Sequence, residues 1–183
     1  NYNVAVGYEA GKRITTGTLN TLLGGQAGDA ITTGAGNTAL GYAALSENVG
    51  GSQNVAVGNL ALLNFTSATT SNTYNTAVGG SAGQNLTSGT VNTLIGGGAG
   101  DALNTGEGNT ALGYNALGSD TKGDLSVALG YAALGNQNHS TNTDAYNVAA
   151  GFNAGGAVTT GTQNTILGGL AGDALTDADF NVA

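Results

Sequence analysis

Cysteine, proline, methionine and tryptophan are absent from the 183-residue chain, and three cations, Lys12, Arg13 and Lys122, stand against 11 acidic residues. Without cysteine there is no disulfide framework and no thiolate metal site, and the redox compartment stays open. A formal net charge of −8 lacks the clustered Lys and Arg that nucleic-acid phosphates require. An anionic membrane surface is disfavoured for the same reason. No run approaches the roughly 18 apolar residues of a membrane-spanning helix, and no signal peptide opens the chain. Charged residues are scarce at 8%, yet hydrophobic ones reach 40%, which is not the profile of a disordered chain.

What is present is small. Glycine fills 34 positions, with Ala, Thr and Asn crowding the rest, so any core is thin and shared among many backbone turns. The stretch NTALGYAAL (Asn37 to Leu45) returns 72 residues later as NTALGYNAL (Asn109 to Leu117). Aligned on the pentad Asn-Thr/Val-Ala/Leu-Val/Leu-Gly, units begin at Asn3, Asn20, Asn37, Asn54, Asn75, Asn92, Asn109, Ser126, Asn147, Asn164 and Asn181. The steps are 17, 17, 17, 21, 17, 17, 17, 21, 17 and 17, so a 17-residue repeat sits inside a 72-residue super-repeat.

Two columns do not vary over the ten complete units. The fifth position is always glycine (Gly24, Gly41 and Gly58 among them) and the eighth always alanine (Ala27, Ala44 and Ala61). The glycine marks a corner with positive φ or a close backbone approach, and the alanine a stacked interior position with room for one methyl group. Seventeen residues are too few for a helical repeat but suit one coil of a β-solenoid with two or three short strands. Neither Asn-Gly nor Asp-Gly occurs, so the strongest hairpin signal is missing and parallel stacking is expected. The first-position asparagines (Asn20, Asn37, Asn54 and their equivalents) are expected to form a side-chain amide ladder, broken once at Ser126.

The expected fold is therefore all-β, a parallel β-solenoid occupying residues 1–183 as one repetitive segment. It divides into super-repeats 3–74 and 75–146 and a partial one, 147–183. Because the sequence begins and ends inside a repeat, it reads as a segment of a longer fibre. Ten coils at about 4.8 Å make a rod roughly 50 Å long, lengthened by duplication. The strand is apolar on both faces, which calls for cover on both. Position three, holding only Ala, Leu or Ile, is expected to face neighbouring chains around an axis, the alternative being a monomeric three-sided solenoid whose interior takes both sets.

LSVALGYAALG (Leu125 to Gly135) resembles the head repeats of trimeric autotransporter adhesins. The whole chain is also similar to the repetitive shaft regions of bacteriophage tail fibres. That resemblance implies a homotrimer of left-handed parallel β-rolls at a virion or bacterial cell surface, projecting a tip that recognises a host or surface. The coils here are longer than those of the adhesin heads, which favours the fibre reading.

Candidate sites are few. GGQAGDAIT (Gly24 to Thr32) and its two recurrences evoke a calcium-binding nonapeptide, making Asp29, Asp101 and Asp173 weak metal candidates. They lie four coils apart, about 19 Å, too far to share an ion within one chain. The two long coils insert NFTSATTSNTY (Asn64 to Tyr74) and NQNHSTNTDAY (Asn136 to Tyr146). Insertions in a solenoid map to surface loops, so Phe65, Thr66, Tyr74, Gln137, His139 and Tyr146 are expected to face a receptor, a surface glycan or a partner fibre. His139, the only histidine, is expected at the surface, with no nucleophile beside it. A step of 17 is not a multiple of the hexapeptide acyltransferase period, and three cations cannot furnish a pectinolytic site. No catalytic residue, cofactor or membrane insertion is expected. The threonine columns leave an ice- or glycan-binding face as the remaining alternative.

Overall fold

A computed structural model describes residues 2–183. It is all-β, with no helix among the described residues. The first strands are β1 (Val4–Val6), β2 (Thr21–Leu23), β3 (Thr38–Leu40), β4 (Val55–Val57), β5 (Thr76–Val78), β6 (Thr93–Ile95) and β7 (Thr110–Leu112). They are followed by β8 (Gly123–Asp124), β9 (Val127–Leu129), β10 (Thr143–Asp144), β11 (Val148–Ala150) and β12 (Thr165–Leu167). Ten of these form one parallel sheet in the order β1-β2-β3-β4-β5-β6-β7-β9-β11-β12, each coil adding one strand. Equivalent positions pair throughout: Ala39 stands opposite Ala56, and Ala56 opposite Ala77 across a long coil. The four extra residues of that coil bulge outward without disturbing the register. A second, two-stranded parallel pair joins β8 to β10 where the second long coil returns.

Each coil thus carries one three-residue strand of the main sheet, fewer than the two or three expected. The rest of the coil is a chain of corners, many set by residues with φ near +50 to +60°, including Leu45, Leu62, Val91 and Leu125. Left-handed backbone cannot continue a pleated strand. Coils remain tied at the corners by backbone bonds, such as Gly28 N–H to Ala44 C=O at 3.0 Å and Leu45 N–H to Ala61 C=O at 2.9 Å.

The glycine column is fixed by both of its expected causes. Gly79 has φ +138°, and a methyl group placed on it would lie 2.5 Å from the Gly96 carbonyl oxygen of the next coil. The alanine column is interior: Ala27, Ala44 and Ala61 are fully buried. Position three is interior as well. Ala39, Ala56, Leu94 and Ala111 are buried inside the coil, while positions two and four point outward. The expectation that position three faces neighbouring chains is therefore corrected. The corner residues deliver their side chains to the same side of the strand as position three, and that side closes on itself.

Core volume is shared between positions three and nine and between neighbouring coils. Four coils with alanine at three place leucine at nine, in Leu45, Leu62, Leu117 and Leu134, whereas Ala5, Ala77 and Ala149 are matched by Gly11, Gly83 and Gly155. Where leucine stands at three, glycine stands at nine: a methyl group on Gly28 would meet Ile31 Cδ1 at 2.8 Å and Leu22 Cδ2 at 2.9 Å. Gly83 is filled from both sides by Leu94 and Leu62 of the neighbouring coils. Interiors packed to crystal-like density allow this exchange and little else.

The asparagine ladder is present and does more than stack. Asn37 Oδ1 accepts from the Asn54 backbone N–H at 2.9 Å and from Asn54 Nδ2 at 3.1 Å. Asn37 Nδ2 in turn donates to Asn20 Oδ1 at 3.1 Å and to the Gly51 carbonyl at 2.9 Å. At Asn20, Asn37, Asn92, Asn109 and Asn164 the side-chain amide bonds the preceding coil and pins the far corner of its own coil.

Candidate functional site: an uncharged outer face and a buried polar cluster

The outer face of the main sheet is built from strand alternation. Positions two and four point away from the core, and the residue before the pentad and the one at position six flank them. None of these four columns contains Asp, Glu, Lys or Arg, although the chain carries 14 such residues elsewhere. The face is uncharged, apolar at position four and threonine or valine at position two, half-exposed to exposed, with Leu23, Leu40, Leu112 and Leu167 standing out of it. Aromatic side chains run up one margin: Tyr131 stacks on Tyr114 with ring centroids 5.3 Å apart, and on Phe152 at 5.4 Å. Tyr42 and Tyr114 also lie over Gly25 and Gly97 of the preceding coils, at ring-carbon distances of 3.5 Å from where a methyl group would sit. Tyr74 and Tyr146 are exposed on the opposite margin, the latter donating its hydroxyl to Asp144 Oδ2 at 3.0 Å.

The nonapeptide-like aspartates do not converge. Asp29 accepts from Ser46 Oγ at 2.5 Å, half-buried Asp101 is held above the usual carboxylate range by burial, and Asp173 is exposed. Among the described residues, no three His, Cys, Asp or Glu side chains are grouped as metal ligands.

The long loops divide their residues between outside and inside. Thr66, Tyr74 and Tyr146 are exposed, as expected of partner-facing residues. Phe65, Gln137 and His139 are not: the first two are fully buried and His139 is 4% exposed. This corrects the expectation that these three face a partner and that His139 lies at the surface. Burial alternates along these stretches, with Thr66, Asn138 and Ser140 turned out.

In the first long coil the inward residue is Phe65, packed into the core above Asn48 and Gly51. In the second, a polar cluster occupies the same place. Gln137 Nε2 donates to Asp120 Oδ2 at 2.5 Å and to Ser126 Oγ at 3.1 Å, and Gln137 Oε1 accepts from Asn147 Nδ2 at 2.8 Å. Asp120 Oδ1 also accepts from the backbone N–H groups of Gly123 at 3.0 Å and His139 at 3.1 Å. His139 Nδ1 approaches Asp120 Oδ2 at 3.5 Å, a charge contact without hydrogen-bond geometry. Both ring nitrogens are buried with no hydrogen-bond partner among the described residues.

Electrostatics follow from this placement. Burial pushes the Asp120 carboxyl up, but the His139 imidazole lying against it, the Gln137 amide and the His139 backbone N–H outweigh it and hold the group below the usual carboxylate range. The same carboxylate raises His139 above the ordinary imidazole range, against the opposing effect of burial. Asp124 is pushed up by burial, with Glu107, Asp144 and Asp120 adding like charge. Its Oδ1 accepts from the Glu107 backbone N–H at 2.7 Å, the role that Ser52 Oγ plays for Ala35 in the first super-repeat at 3.0 Å.

Comparing the super-repeats does not single out the cluster, since exposed Glu47, Val49 and Thr66 also change, to Ser119, Thr121 and Asn138. Asn48, Asn54, Phe65 and Ser67 become Asp120, Ser126, Gln137 and His139 at a constant offset of 72. The chain matches no protein-family profile, no curated protein and no solved structure.

Proposed function

We propose that the protein is a non-enzymatic structural segment, the shaft or head of a fibre in which three copies pack along their outer sheet faces and carry a host- or surface-recognition tip away from a virion or cell. The observation that carries this reading is the uncharged apolar face running the whole length of the rod. A chain with net charge −8 repels its own copies everywhere except where charge is excluded. A strip roughly 50 Å long and 20 Å wide offers about 1,000 Å² per chain, above the ~800 Å² per partner of a stable interface. Exposed apolar patches of that extent in soluble proteins mark interaction surfaces. A rod that gains length by adding coils suits the role of spacer, and the resemblance to tail-fibre shafts and adhesin heads supports the threefold arrangement.

Sedimentation velocity on the isolated segment tests the proposal. A mass of three chains is the expected result, and a monomer at micromolar concentration would remove the trimer. One further reading has an observation of its own, because the threonines at position two (Thr21, Thr38, Thr76, Thr93, Thr110 and Thr165) all stand on the outward face. Val55, Val127 and Val148 interrupt that column, so ice or glycan recognition ranks second. Thermal hysteresis in solution would promote it.

A further inference from the structure

We propose that His139 and Asp120 form a pH-set latch that fastens the second long loop, residues 136–146, to the coil that precedes it. The geometry comes from burial. Asp120 is fully buried and receives four donors, the backbone N–H groups of Lys122 and Gly123 from its own corner and the Gln137 side chain and His139 backbone N–H from the loop. The imidazole is 4% exposed and lies against that carboxylate at 3.5 Å, with neither ring nitrogen hydrogen-bonded. A neutral ring in this position leaves desolvated polar atoms without compensation. A protonated ring is drawn to the carboxylate in surroundings of low dielectric constant. The protonation state of one side chain therefore sets how tightly the loop is held.

The other charged groups around the ring are few. Asp124 lies on the same corner as Asp120 and adds negative charge, with Lys122 between them in sequence. Asp144, at the far end of the loop, is engaged by the Tyr146 hydroxyl. The following coil, residues 147–163, contains no charged residue, and its Thr160 backbone also favours the protonated ring. The sign follows from the directions of the two shifts. Because His139 is raised in the folded state, its contribution is complete below the ordinary imidazole value of about 6.5 and is lost as pH rises through its folded midpoint. Because Asp120 is depressed, its contribution is complete above the ordinary carboxylate value of about 3.9 and is lost as pH falls through its own folded midpoint. The latch is fully set between those two ordinary values and released above the window.

The first long loop is a built-in control. Asn48, Phe65 and Ser67 occupy the positions of Asp120, Gln137 and His139, and Tyr74 is the only titratable residue between positions 64 and 74. The latch makes the two otherwise equivalent loops respond differently to pH, whatever the oligomeric state of the rod.

The test uses the full chain and its single histidine. One imidazole resonance is titrated by NMR, while amide exchange is followed at Asn138, His139, Thr143 and Ala145 against Thr66 and Thr73 of the first loop. The expected midpoint lies above that of a histidine in a model peptide. Protection of the second loop relative to the first should fall through that midpoint, tenfold for each pH unit separating folded and unfolded values. Asp120→Asn should bring the midpoint to or below the ordinary value, and His139→Ser should remove the pH dependence of the loop. A wild-type midpoint at or below the ordinary value, or a protection ratio that stays constant through the titration, would overturn the latch. Both readings come from the unmodified chain, so the test stands even if a variant fails to fold.

Discussion

Gln137 Oε1 accepts a hydrogen bond from Asn147 Nδ2 at 2.8 Å, across the one coil of the ladder whose first residue carries no amide. Ser126 occupies that rung, and its hydroxyl accepts from Gln137 Nε2 at 3.1 Å. The amide missing from position one has moved to position twelve, where the first super-repeat holds Phe65. The ladder is thus a requirement for buried hydrogen-bonding capacity, and it is met from either side of the coil.

The relationship predicts non-additive substitutions. Gln137→Leu keeps volume but removes the donor to Ser126 Oγ and Asp120 Oδ2 and one of the two acceptors of Asn147 Nδ2, at a cost of about 2–4 kcal/mol. Ser126→Asn alone crowds the Gln137 amide and is also destabilising. The joint replacement Asp120→Asn, Ser126→Asn, Gln137→Phe and His139→Ser rebuilds the arrangement of the first super-repeat and should recover most of the loss. Urea unfolding of the three proteins checks this. An additive loss in the fourfold variant would mean the two arrangements are not interchangeable.

Gly79 and Gly80 are neighbours with opposite tolerances. At Gly79 a methyl group meets the Gly96 carbonyl oxygen at 2.5 Å under a φ of +138°, and at Gly80 it meets nothing within 4 Å. The Gly79 carbon sits where coils approach backbone to backbone, so relief requires separating two coils of the sheet. Gly79→Ala should cost about 3 kcal/mol or more, whereas Gly80→Ala should stay within about 0.5 kcal/mol of the parent. Thermal melts of the two single variants decide it, and equal losses would contradict the stacking geometry at the fifth position.

The glycine and alanine columns were legible in the sequence because each answers to one constraint repeated ten times. So were the coil length and the parallel direction of stacking. The choice of inner face was not, since positions three and four are both apolar and strand alternation cannot assign an interior when both sides read alike. The corners decide it. Leu45, Leu62, Leu117 and Leu134 take left-handed backbone and turn inward at full burial, which their residue type does not announce. The burial of Phe65, Gln137 and His139 escaped a reading of the loops as surface insertions for a related reason. The loops around them are polar in composition, which does not separate inward from outward positions.

Leu112 and Leu129 lie on adjacent strands of the outer face, each about half or less exposed, where they add nothing to the core of their own chain. Replacing both with lysine places two charges in the middle of the proposed interface and leaves the coil interior untouched. A desolvated, unpaired charge in an interface costs several kcal/mol. Assembly should weaken at least a hundredfold, while the far-ultraviolet circular dichroism of the chain stays the same. Sedimentation of the variant and the parent side by side makes the measurement. An unaltered mass for an assembling parent would move the contact to another face.

Val91 is held at φ +59° on the outer margin, with its N–H bonded to the Thr73 carbonyl at 2.8 Å and its side chain 58% exposed. A β-branched residue is the least comfortable occupant of left-handed backbone, because its second branch crowds the following carbonyl. Glycine stands at the same place in two other coils, Gly36 and Gly108, and there a side chain of the next coil, Gln53 or Leu125, leans into the space that is left. Asparagine tolerates this backbone and keeps a side chain that can be solvated. Val91→Asn should therefore raise stability by about 0.5–1 kcal/mol, the released strain exceeding the loss of a mostly exposed apolar group. Val91→Ile, which retains the branch, should bring no gain. Unfolding midpoints of the two variants separate the explanations: a gain in both would credit side-chain packing, and a gain in neither would show that the corner carries no strain worth releasing.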